Sequence, residues 1–324
     1  MVHTFSDDYV HVKTCQFESG EYYMENAQLK TGEIKYDFDK CKICDGPIKT
    51  LKKRSFDGLV LAKCKNCGLT FVKLIPVSRG LFEDSPERTA ECYSHLYSQT
   101  PEKFSYGLNK ILSYLKPIGK EDDIANLSLL DVGCGNGDFI LLCKDKGFNV
   151  SGVEDSEGAA RLCKKRGLDN IYITDLADIE SSFDVITLFD VAEHVEDLKS
   201  FFKAICDKLN SKGIVYIETP RKSVIDIYLG ILELFTPIKS NRITRAHVQL
   251  FSDKSLRVLL EKYGFDVISL KRRQSLSFAD KKQYIYWLGV KSKVIVAILE
   301  KIANIALALR VFGRNKAVVM ARKN

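Results

Sequence analysis

The stretch LLDVGCGNGDFI, residues 129–140, decides how the rest of this 324-residue chain is interpreted. An apolar run typical of a buried strand ends near Asp131, and glycines follow at alternate positions, namely Gly133, Gly135 and Gly137. Such glycines permit a tight turn and a close approach of the backbone to a ligand at the start of the next helix. Because the spacing is G-x-G-x-G and not G-x-G-x-x-G, a nicotinamide or flavin dinucleotide is not the first choice.

Short apolar runs recur along the chain around this stretch, and helical patterns separate them. The runs that predict strands are residues 127–132, 148–153, 171–174, 183–188, 213–218 and 265–270. Strands that alternate with helices predict the α/β class, with a doubly wound parallel sheet. Ligands of such sheets bind outside the carboxyl ends of the strands, so the site is expected there.

Carboxylates follow several of these predicted strands, namely Glu154, Asp175 and Asp190. This acidic edge would repel a pyrophosphate and would favour a ligand that carries an ammonium and a sulfonium group. Glu154 lies 19 residues beyond Gly135, the separation at which an acidic residue reaches the two hydroxyls of an adenosine ribose. Asp175 could accept from an adenine amino group. Any one of these carboxylates could instead be a solvated helix cap, but their joint occurrence in order favours binding.

Four segments, LLDVGCGNGDFI, FNVSGVEDS, FDVITLFDVAEHV and GIVYIETP, resemble the successive strand motifs of class I S-adenosylmethionine-dependent methyltransferases. The branch that they resemble includes ubiquinone-pathway O-methyltransferases and methyltransferases of natural-product and polysaccharide pathways. The resemblance covers about residues 125–270, and residues 316–322 resemble the last strand of that family. It implies a mostly parallel, seven-stranded Rossmann-like sheet. It also implies that the three glycines pass beneath the methionine part of S-adenosylmethionine, that Glu154 binds the ribose and that Asp175 binds the adenine. The predicted cofactor residues are Asp131, Gly133, Gly135, Gly137, Glu154, Asp175 and Asp190.

Two histidines are candidate bases for methyl transfer to a hydroxyl group. His194 follows the fourth strand, and a helix starting there would place Asp190, Glu193 and His194 on one face. His247 begins HVQLFS, which resembles the H-x-x-x-F-S segment of the family before a helix. The alternatives are a His194 that fixes its loop by hydrogen bonds and a His247 in structural contact with the segment that follows the fifth strand. Since some quinone-pathway relatives link a matching acidic and histidine group to a divalent metal, the resemblance also raises Mg²⁺ as a cofactor.

Two cysteine pairs precede this region: Cys41 with Cys44, and Cys64 with Cys67, with 19 residues between the pairs. This is zinc-ribbon spacing, and four thiolates would fill the tetrahedral shell of a structural Zn²⁺. CKNCGLTFVKLIP also resembles the ribbon that precedes such domains in some polysaccharide-pathway enzymes. The alternative is unligated or redox-active thiols.

The predicted organisation is an N-terminal arm (1–40), a zinc ribbon (41–75), a helical linker (76–120) and a methyltransferase domain (121–324). Apolar inserts lie near 221–245, where the family builds its acceptor lid, and near 275–313. Residues 121–270 contain 18 basic and 25 acidic side chains, whereas residues 271–324 contain 13 and 2. The basic segment 275–313 could contact an anionic membrane, cover a greasy acceptor, form a homodimer interface or complete the core of its own domain. With no signal-like start and no uninterrupted apolar span, a cytoplasmic and in part membrane-peripheral location is expected.

Three functions fit these patterns. The leading prediction is O-methylation of a small molecule, a sugar or a lipid-linked acceptor. The second is an RNA methyltransferase, because zinc ribbons also accompany this fold in enzymes that act on ribosomal RNA and the tail is basic. The third is a non-catalytic binding module with a methyltransferase fold. Phe189-Asp190-Val191-Ala192 follows the fourth strand in place of an Asn-Pro-Pro-Tyr-like signature, which favours an oxygen acceptor.

Overall fold

A computed structural model gives the fold for the greater part of the chain. It describes residues 10–18, 21–29, 34–54, 59–76, 101–116, 123–222, 243, 247–274, 297, 298, 301, 305 and 314–324. Most of the predicted lid and of the basic segment, 221–245 and 275–313, therefore lies outside the described residues.

The N-terminal residues form a hairpin where the sequence predicted an arm. Strands β1 (Val10–Glu18) and β2 (Glu21–Leu29) pair antiparallel along their whole length. The sequence has no sustained period here, but a ladder of backbone hydrogen bonds uses main-chain groups only and can form from polar residues. Strand β3 (Ile34–Asp37) follows.

The predicted ribbon is a small antiparallel sheet. It contains β4 (Ile48–Arg54), β5 (Val60–Cys64) and β6 (Thr70–Val72), and β7 (Leu74–Pro76) pairs with β3. Gly68 has a φ of +78°, which allows the chain to turn sharply between the second cysteine pair and β6. The two cysteine pairs lie in the turns at one end of this sheet.

The remaining elements build a doubly wound sheet with seven strands in the order β10-β9-β8-β11-β12-β15-β14. Neighbours from β10 to β12 are parallel, and β15 is antiparallel to both of its neighbours. The predicted fold class is confirmed, and each predicted strand is present. The bounds are β8 (Ser128–Val132), β9 (Asn149–Val153), β10 (Ile171–Tyr172), β11 (Phe183–Phe189), β12 (Leu209–Pro220), β13 (Gln249–Leu250), β14 (Phe265–Arg273) and β15 (Lys316–Lys323). The helices are α1 (Pro101–Leu115), α2 (Asp138–Asp145), α3 (Glu157–Lys165), α4 (Leu198–Lys208) and α5 (Asp253–Lys262).

The two faces of the sheet bury alternate residues of each strand. Leu129 packs in a core with α1 and α2, whereas Leu130 packs on the opposite face with α4 and α5. Both leucines are fully buried. Because successive side chains of a strand point to opposite faces, these strands are apolar at almost every position, as their sequence predicted.

Helix α1 is a layer of this core, although the sequence analysis assigned residues 76–120 to a linker. Phe104, Leu108 and Ile111 lie at spacings of three and four residues and are buried against Phe139 of α2 and Tyr216 of β12. The rest of the predicted linker lies in residues 77–100 and 117–122, outside the described part of the chain.

The ribbon is docked on the larger unit and shares its core. Strand β13 pairs with β6, so a segment from the second half of the chain completes the ribbon sheet in the order β13-β6-β5-β4. Cys41, Phe71, Phe251 and Leu256 belong to one buried cluster. The sequence boundary at residue 75 therefore does not separate two independent cores.

Candidate active site

The turn between β8 and α2, which we call the glycine turn, has a left-handed backbone conformation that glycine adopts most easily. Gly133, Gly135 and Gly137 have φ angles of +68°, +56° and +80°. A Cβ atom added to Gly133 would lie 2.6 Å from Cγ2 of Val191, in the loop that follows β11. The missing side chain lets the turn pass close to that loop, at the edge of the sheet where ligands of such folds bind.

Glu154 lies at the end of β9 and is bound to the glycine turn. Its two carboxylate oxygens accept hydrogen bonds from the backbone N–H groups of Gly135, at 2.8 Å, and Ser156, at 2.9 Å. It is 3% exposed, and this burial raises its pKa to about 7, although the two backbone hydrogen bonds oppose the rise. A glycine cradle with an adjacent buried carboxylate fits a ligand that contains a ribose.

Asp131 is buried within the sheet beneath the turn. Its carboxylate accepts a hydrogen bond of 2.6 Å from Oγ1 of Thr187 on the neighbouring strand β11. Burial raises the pKa of Asp131 to about 7. This contact links β8, which leads into the glycine turn, to β11, which leads into the Val191 loop. Asp131 is therefore placed to position the glycine turn.

The other two predicted cofactor carboxylates have different surroundings. Asp175 is exposed and precedes a 3₁₀ turn without capping it through its side chain. Asp190 follows β11 with a φ of +59°, and its carboxylate forms ion pairs with Lys103, at 2.8 Å, and with Lys316. The structure therefore brings Glu154 and Asp131 to the glycine turn, whereas Asp190 is bound by two cations.

Lys103 and Lys316 are functional candidates that the sequence analysis missed. Both side chains are 12% exposed, and burial lowers the pKa of each, that of Lys316 well below the ordinary lysine value. Lys103 comes from α1 and Lys316 from β15, at 87 and 126 residues from Asp190. No local motif brings the two lysines and Asp190 together, so only the folded chain reveals the cluster.

The two predicted histidines meet. The ring centroids of His194 and His247 are 4.6 Å apart, with an angle of 69° between the ring planes. His194 is exposed at the carboxyl end of β11 and His247 is half-buried ahead of β13. This contact is compatible with a shared role of the two candidate bases at one site.

Glu193 lies close to this histidine pair, with a carboxylate oxygen within 4.8 Å of a ring nitrogen of each histidine. It is fully buried and accepts a hydrogen bond of 2.8 Å from Oγ1 of Thr219, and among the described residues its other oxygen has no donor. Burial raises the pKa of Glu193 to about 7. The prediction that Asp190, Glu193 and His194 share a helical face is wrong, because this segment is a turn and the helix begins only at Leu198.

The donor set near the histidines does not fit Mg²⁺. One ligand atom each from Glu193, His194 and His247 lie within 4.8 Å of one another. Two imidazoles suit Zn²⁺, Fe²⁺ or Ni²⁺ better than Mg²⁺, which prefers oxygen donors, and Asp190 is engaged by two lysines. We derive no catalytic step through Mg²⁺.

The four ribbon cysteines do fit a zinc ion. Their sulfur atoms all lie within 4.8 Å of one another, and the Cys41–Cys67 and Cys44–Cys64 pairs are each 3.5 Å apart. A tetrahedral shell with Zn–S bonds of about 2.3 Å needs sulfur separations of roughly 3.8 Å. Backbone N–H groups of Asn66 and Cys67 also point at the sulfur of Cys64, at 3.3 Å each. The donors are thus arranged for a closed, structural site.

Comparison with known proteins agrees with this geometry. Residues 100–270 match the methyltransferase domain family, and the chain belongs to that family. It is 28% identical over 144 residues to a ubiquinone biosynthesis O-methyltransferase of Rickettsia canadensis, a match that covers 42% of this chain and 58% of that protein. The protein of the same name from Idiomarina loihiensis is 32% identical over 120 residues, 34% of this chain and 49% of that protein. The matches thus span about half the length of these relatives.

Solved structures with a similar fold include two methyltransferases. A magnesium protoporphyrin IX methyltransferase from Synechocystis is 14% identical, with 67% of this chain and 81% of that chain covered and a TM-score of 0.44. A putative sarcosine dimethylglycine methyltransferase from Galdieria sulphuraria is 14% identical, with 73% and 98% covered and a TM-score of 0.48.

Proposed function

We propose that this chain is an S-adenosylmethionine-dependent methyltransferase that acts on a hydroxyl group of a small-molecule, sugar or lipid-linked acceptor. One observation supports the acceptor chemistry above all: His194 and His247 meet at the carboxyl edge of the sheet. His194 belongs to the loop that borders the glycine turn, since Val191 abuts Gly133. Family membership supports the class of reaction.

S-adenosylmethionine, when bound, supplies a methyl group on a positively charged sulfur, which is open to attack by a nucleophile. The glycine turn would lie beneath the methionine part, and Glu154 would accept from the ribose hydroxyls. One imidazole of the histidine pair would take the proton of the acceptor hydroxyl as the O–CH₃ bond forms and the S–CH₃ bond breaks. A base in this position contributes about 10²- to 10⁴-fold to the rate, and alignment of the two reactants contributes the rest.

A mass measurement tests the activity. The protein and S-adenosylmethionine are incubated with catechols, sugar nucleotides and a cell extract, and we expect one acceptor to gain the mass of one methyl group. Calorimetry with S-adenosylhomocysteine and NADH is the matched binding test. Binding of NADH without binding of S-adenosylhomocysteine would contradict the proposal, and binding without any methyl transfer would favour a non-catalytic module.

We further propose that the ribbon holds one structural Zn²⁺. Metal analysis should give one zinc per chain, and Cys64→Ser should lose the metal and lower the melting temperature. Cys206→Ser is the control, because Cys206 is half-buried and lies outside the cluster. Equal zinc content in both variants would show that these cysteines do not bind the ion.

An RNA methyltransferase is the second candidate function, and one feature of the surface favours it. Lys49, Lys63, Lys65 and Lys254 line a cavity of about 490 Å³ beside the ribbon, and among the described residues none of them forms an ion pair. Such a basic surface suits a phosphate backbone. Affinity for RNA that falls steeply with salt in the wild type, and that is lost on charge reversal of these lysines, would support this candidate.

Membrane contact of the basic segment is also a proposal. No helix of the described part of the chain is long and apolar enough to cross a membrane. Ile298 and Ile305, two large apolar side chains of this segment, are 53% and 61% exposed. The protein should float with anionic liposomes and should stay at the bottom after Ile298→Asp with Ile305→Asp. A homodimer through these isoleucines is the competing outcome, which sedimentation would reveal as a change in mass.

A further inference from the structure

The ribbon and the histidine pair are joined by a buried polar contact between Lys42 and Gln249, two residues that are 207 positions apart in the chain. We propose that Lys42 and Gln249 are positioning residues that couple the ribbon to the two histidines. We call this contact the Lys42–Gln249 bridge. The inference rests on the proposed function, since it assigns the bridge a part in the same reaction.

Gln249 binds the loop that contains Glu193 and His194. Its side-chain amide nitrogen donates to the backbone carbonyls of Ala192, at 2.5 Å, and Val195, at 2.8 Å. These two carbonyls lie on either side of Glu193 and His194 in the sequence. Gln249 is 1% exposed, so water does not compete for these bonds. The position of the His194 loop therefore depends on where this one amide lies.

Lys42 connects that amide to the turn between Cys41 and Cys44, which we call the knuckle. Its Nζ donates to the side-chain oxygen of Gln249 at 2.7 Å and lies 3.5 Å from the carbonyl of Val195. Lys42 follows Cys41 directly and is 3% exposed. Because Lys42 lies between Cys41 and Cys44, the fold of this turn determines the position of its Nζ atom. That position therefore depends on a correctly folded ribbon.

His247 is tied to the ribbon through the backbone of the same segment. It lies two residues before Gln249, which pairs with Phe71 of β6. The carbonyl of Val248 also accepts a hydrogen bond of 2.9 Å from the N–H of Val72. One histidine is thus located by the side chain of Gln249 and the other by its strand, and both connections lead to the ribbon.

An interface that served stability alone would not need this arrangement. Burying an ammonium group and an amide has a desolvation cost, which apolar residues of similar volume would avoid. Hydrogen bonds are directional, whereas apolar packing is not. The polar bridge therefore fixes the positions of the Ala192 and Val195 carbonyls relative to the ribbon. Two imidazoles that must meet an acceptor need that precision, because a misplacement of about 1 Å can cost roughly 10²-fold in rate.

The test uses Lys42→Met and Gln249→Leu in the full-length, metal-loaded protein. Lys40→Met is the matched control, because Lys40 precedes Cys41 directly as Lys42 follows it, but is exposed. The chain has five histidines, so the ring signals of His194 and His247 can be assigned in NMR spectra by comparison with His194→Gln and His247→Gln.

We expect both bridge variants to shift the ring signals of His194 and His247 and to lower kcat by about 10- to 100-fold. Zinc content and the affinity for S-adenosylhomocysteine should remain those of the wild type. The double variant should lose little more than Gln249→Leu alone, since Gln249→Leu already removes the contact with Lys42 together with the bonds to Ala192 and Val195. The control should match the wild type in every measurement.

Unchanged histidine signals in Lys42→Met and Gln249→Leu would overturn the inference, as would a parallel loss of zinc and of cofactor affinity, which would indicate a general structural role. If Gln249→Leu does not fold, Gln249→Met replaces it in the same measurements. Failure of the proposed function is recognised separately, because His194→Gln and His247→Gln would then leave methyl transfer unchanged whatever the bridge variants do.

Discussion

The two halves of the proposed site, the cofactor side at the glycine turn and the acceptor side at the histidine pair, are built in different ways. On the cofactor side, Gly133, Gly135 and Glu154 lie within 22 residues of one another, and Glu154 binds the turn directly. On the acceptor side, His194 and His247 come from distant segments, and α1, β15 and the ribbon all contribute contacts. A compact sequence motif thus forms one half of the site, and long-range packing assembles the other.

This difference suggests where substitutions should have local effects and where they should not. A change in the glycine turn should alter cofactor affinity and little else. A change on the acceptor side should alter rate or stability while cofactor affinity is retained. The variants below test that separation.

The largest expected effect is on the rate. His194→Gln or His247→Gln, whichever removes the base, should lower kcat by about 10²- to 10⁴-fold because the hydroxyl proton loses its acceptor. Affinity for S-adenosylhomocysteine, measured by calorimetry, is the internal control and should not change. A loss of affinity in these variants would show that the two sides are not separable.

Asp190→Asn should destabilise the fold. Asparagine keeps the shape and tolerates the positive φ, but two buried lysines lose their counter-charge, which costs on the order of 2–3 kcal/mol. Urea unfolding measures this loss. Asp207→Asn, which removes the exposed partner of Lys203, is the control and should leave stability unchanged. If Asp190→Asn instead weakens cofactor binding at wild-type stability, Asp190 is the cofactor ligand that the sequence predicted.

Gly133→Ala should weaken binding of S-adenosylhomocysteine by about 10- to 100-fold, since the new Cβ meets Val191 and the turn must move. Gly147→Ala is a matched control. Its φ of +96° imposes backbone strain of the same kind, but nothing lies within 4 Å of an added Cβ. Similar losses in both variants would mean that strain in the fold, and not the shape of the turn, accounts for the effect.

The last expected effect, which is spread over several pH units, is a pH dependence of stability. The pKa of Glu154 is raised from 4.5 to about 7 in the folded protein, so between these values the folded state holds a proton that the unfolded chain has released. The free energy of unfolding of the ligand-free protein should therefore fall as the pH rises from 4.5 to 7, by about 3 kcal/mol at most from this group. Asp131 and Glu193 should add falls of the same sign.

Glu154→Gln should reduce this slope without removing it, and Asp175→Asn, at an exposed position, should leave it unchanged. Urea unfolding at a series of pH values, with excess zinc present, measures the slopes. A slope in Glu154→Gln equal to that of the wild type would contradict the burial of Glu154. The slopes are compared between variants because zinc binding to thiolates releases protons and adds its own pH dependence to each.

Much of the fold was predictable because its signals are local. Apolar runs predicted β8, β9, β11 and β12, because strands buried on both faces are apolar at almost every position. The helix α1 was taken for part of a linker, since its amphipathic spacing does not say against which layer it packs. The hairpin of β1 and β2 was missed because its pairing uses backbone groups and has no matching period in the side chains.

The candidate site divides in the same way. The spacing of Gly135 and Glu154 led to the prediction that Glu154 binds a ribose, and the structure shows that Glu154 lies at the glycine turn and accepts a hydrogen bond from Gly135. The turn that contains Glu193 and His194 was not predictable, because a helix and a turn share the same short spacing and the burial of Glu193 against Thr219 is a tertiary contact. Lys103 belongs to no sequence pattern, and the strand pattern that contains Lys316 does not indicate its ion pair with Asp190.

The amino-acid sequence by itself determined the strand segments, the glycine turn with its acidic partner and the four-cysteine set, because each depends on residues a few positions apart or on side-chain chemistry alone. Tertiary structure alone decided that His194 meets His247, that Asp190 binds two lysines and that Lys42 reaches Gln249. These contacts join segments from 53 to 207 residues apart. Such segments meet only after strand order and ribbon docking have set the positions of whole elements, and no spacing along the chain encodes that.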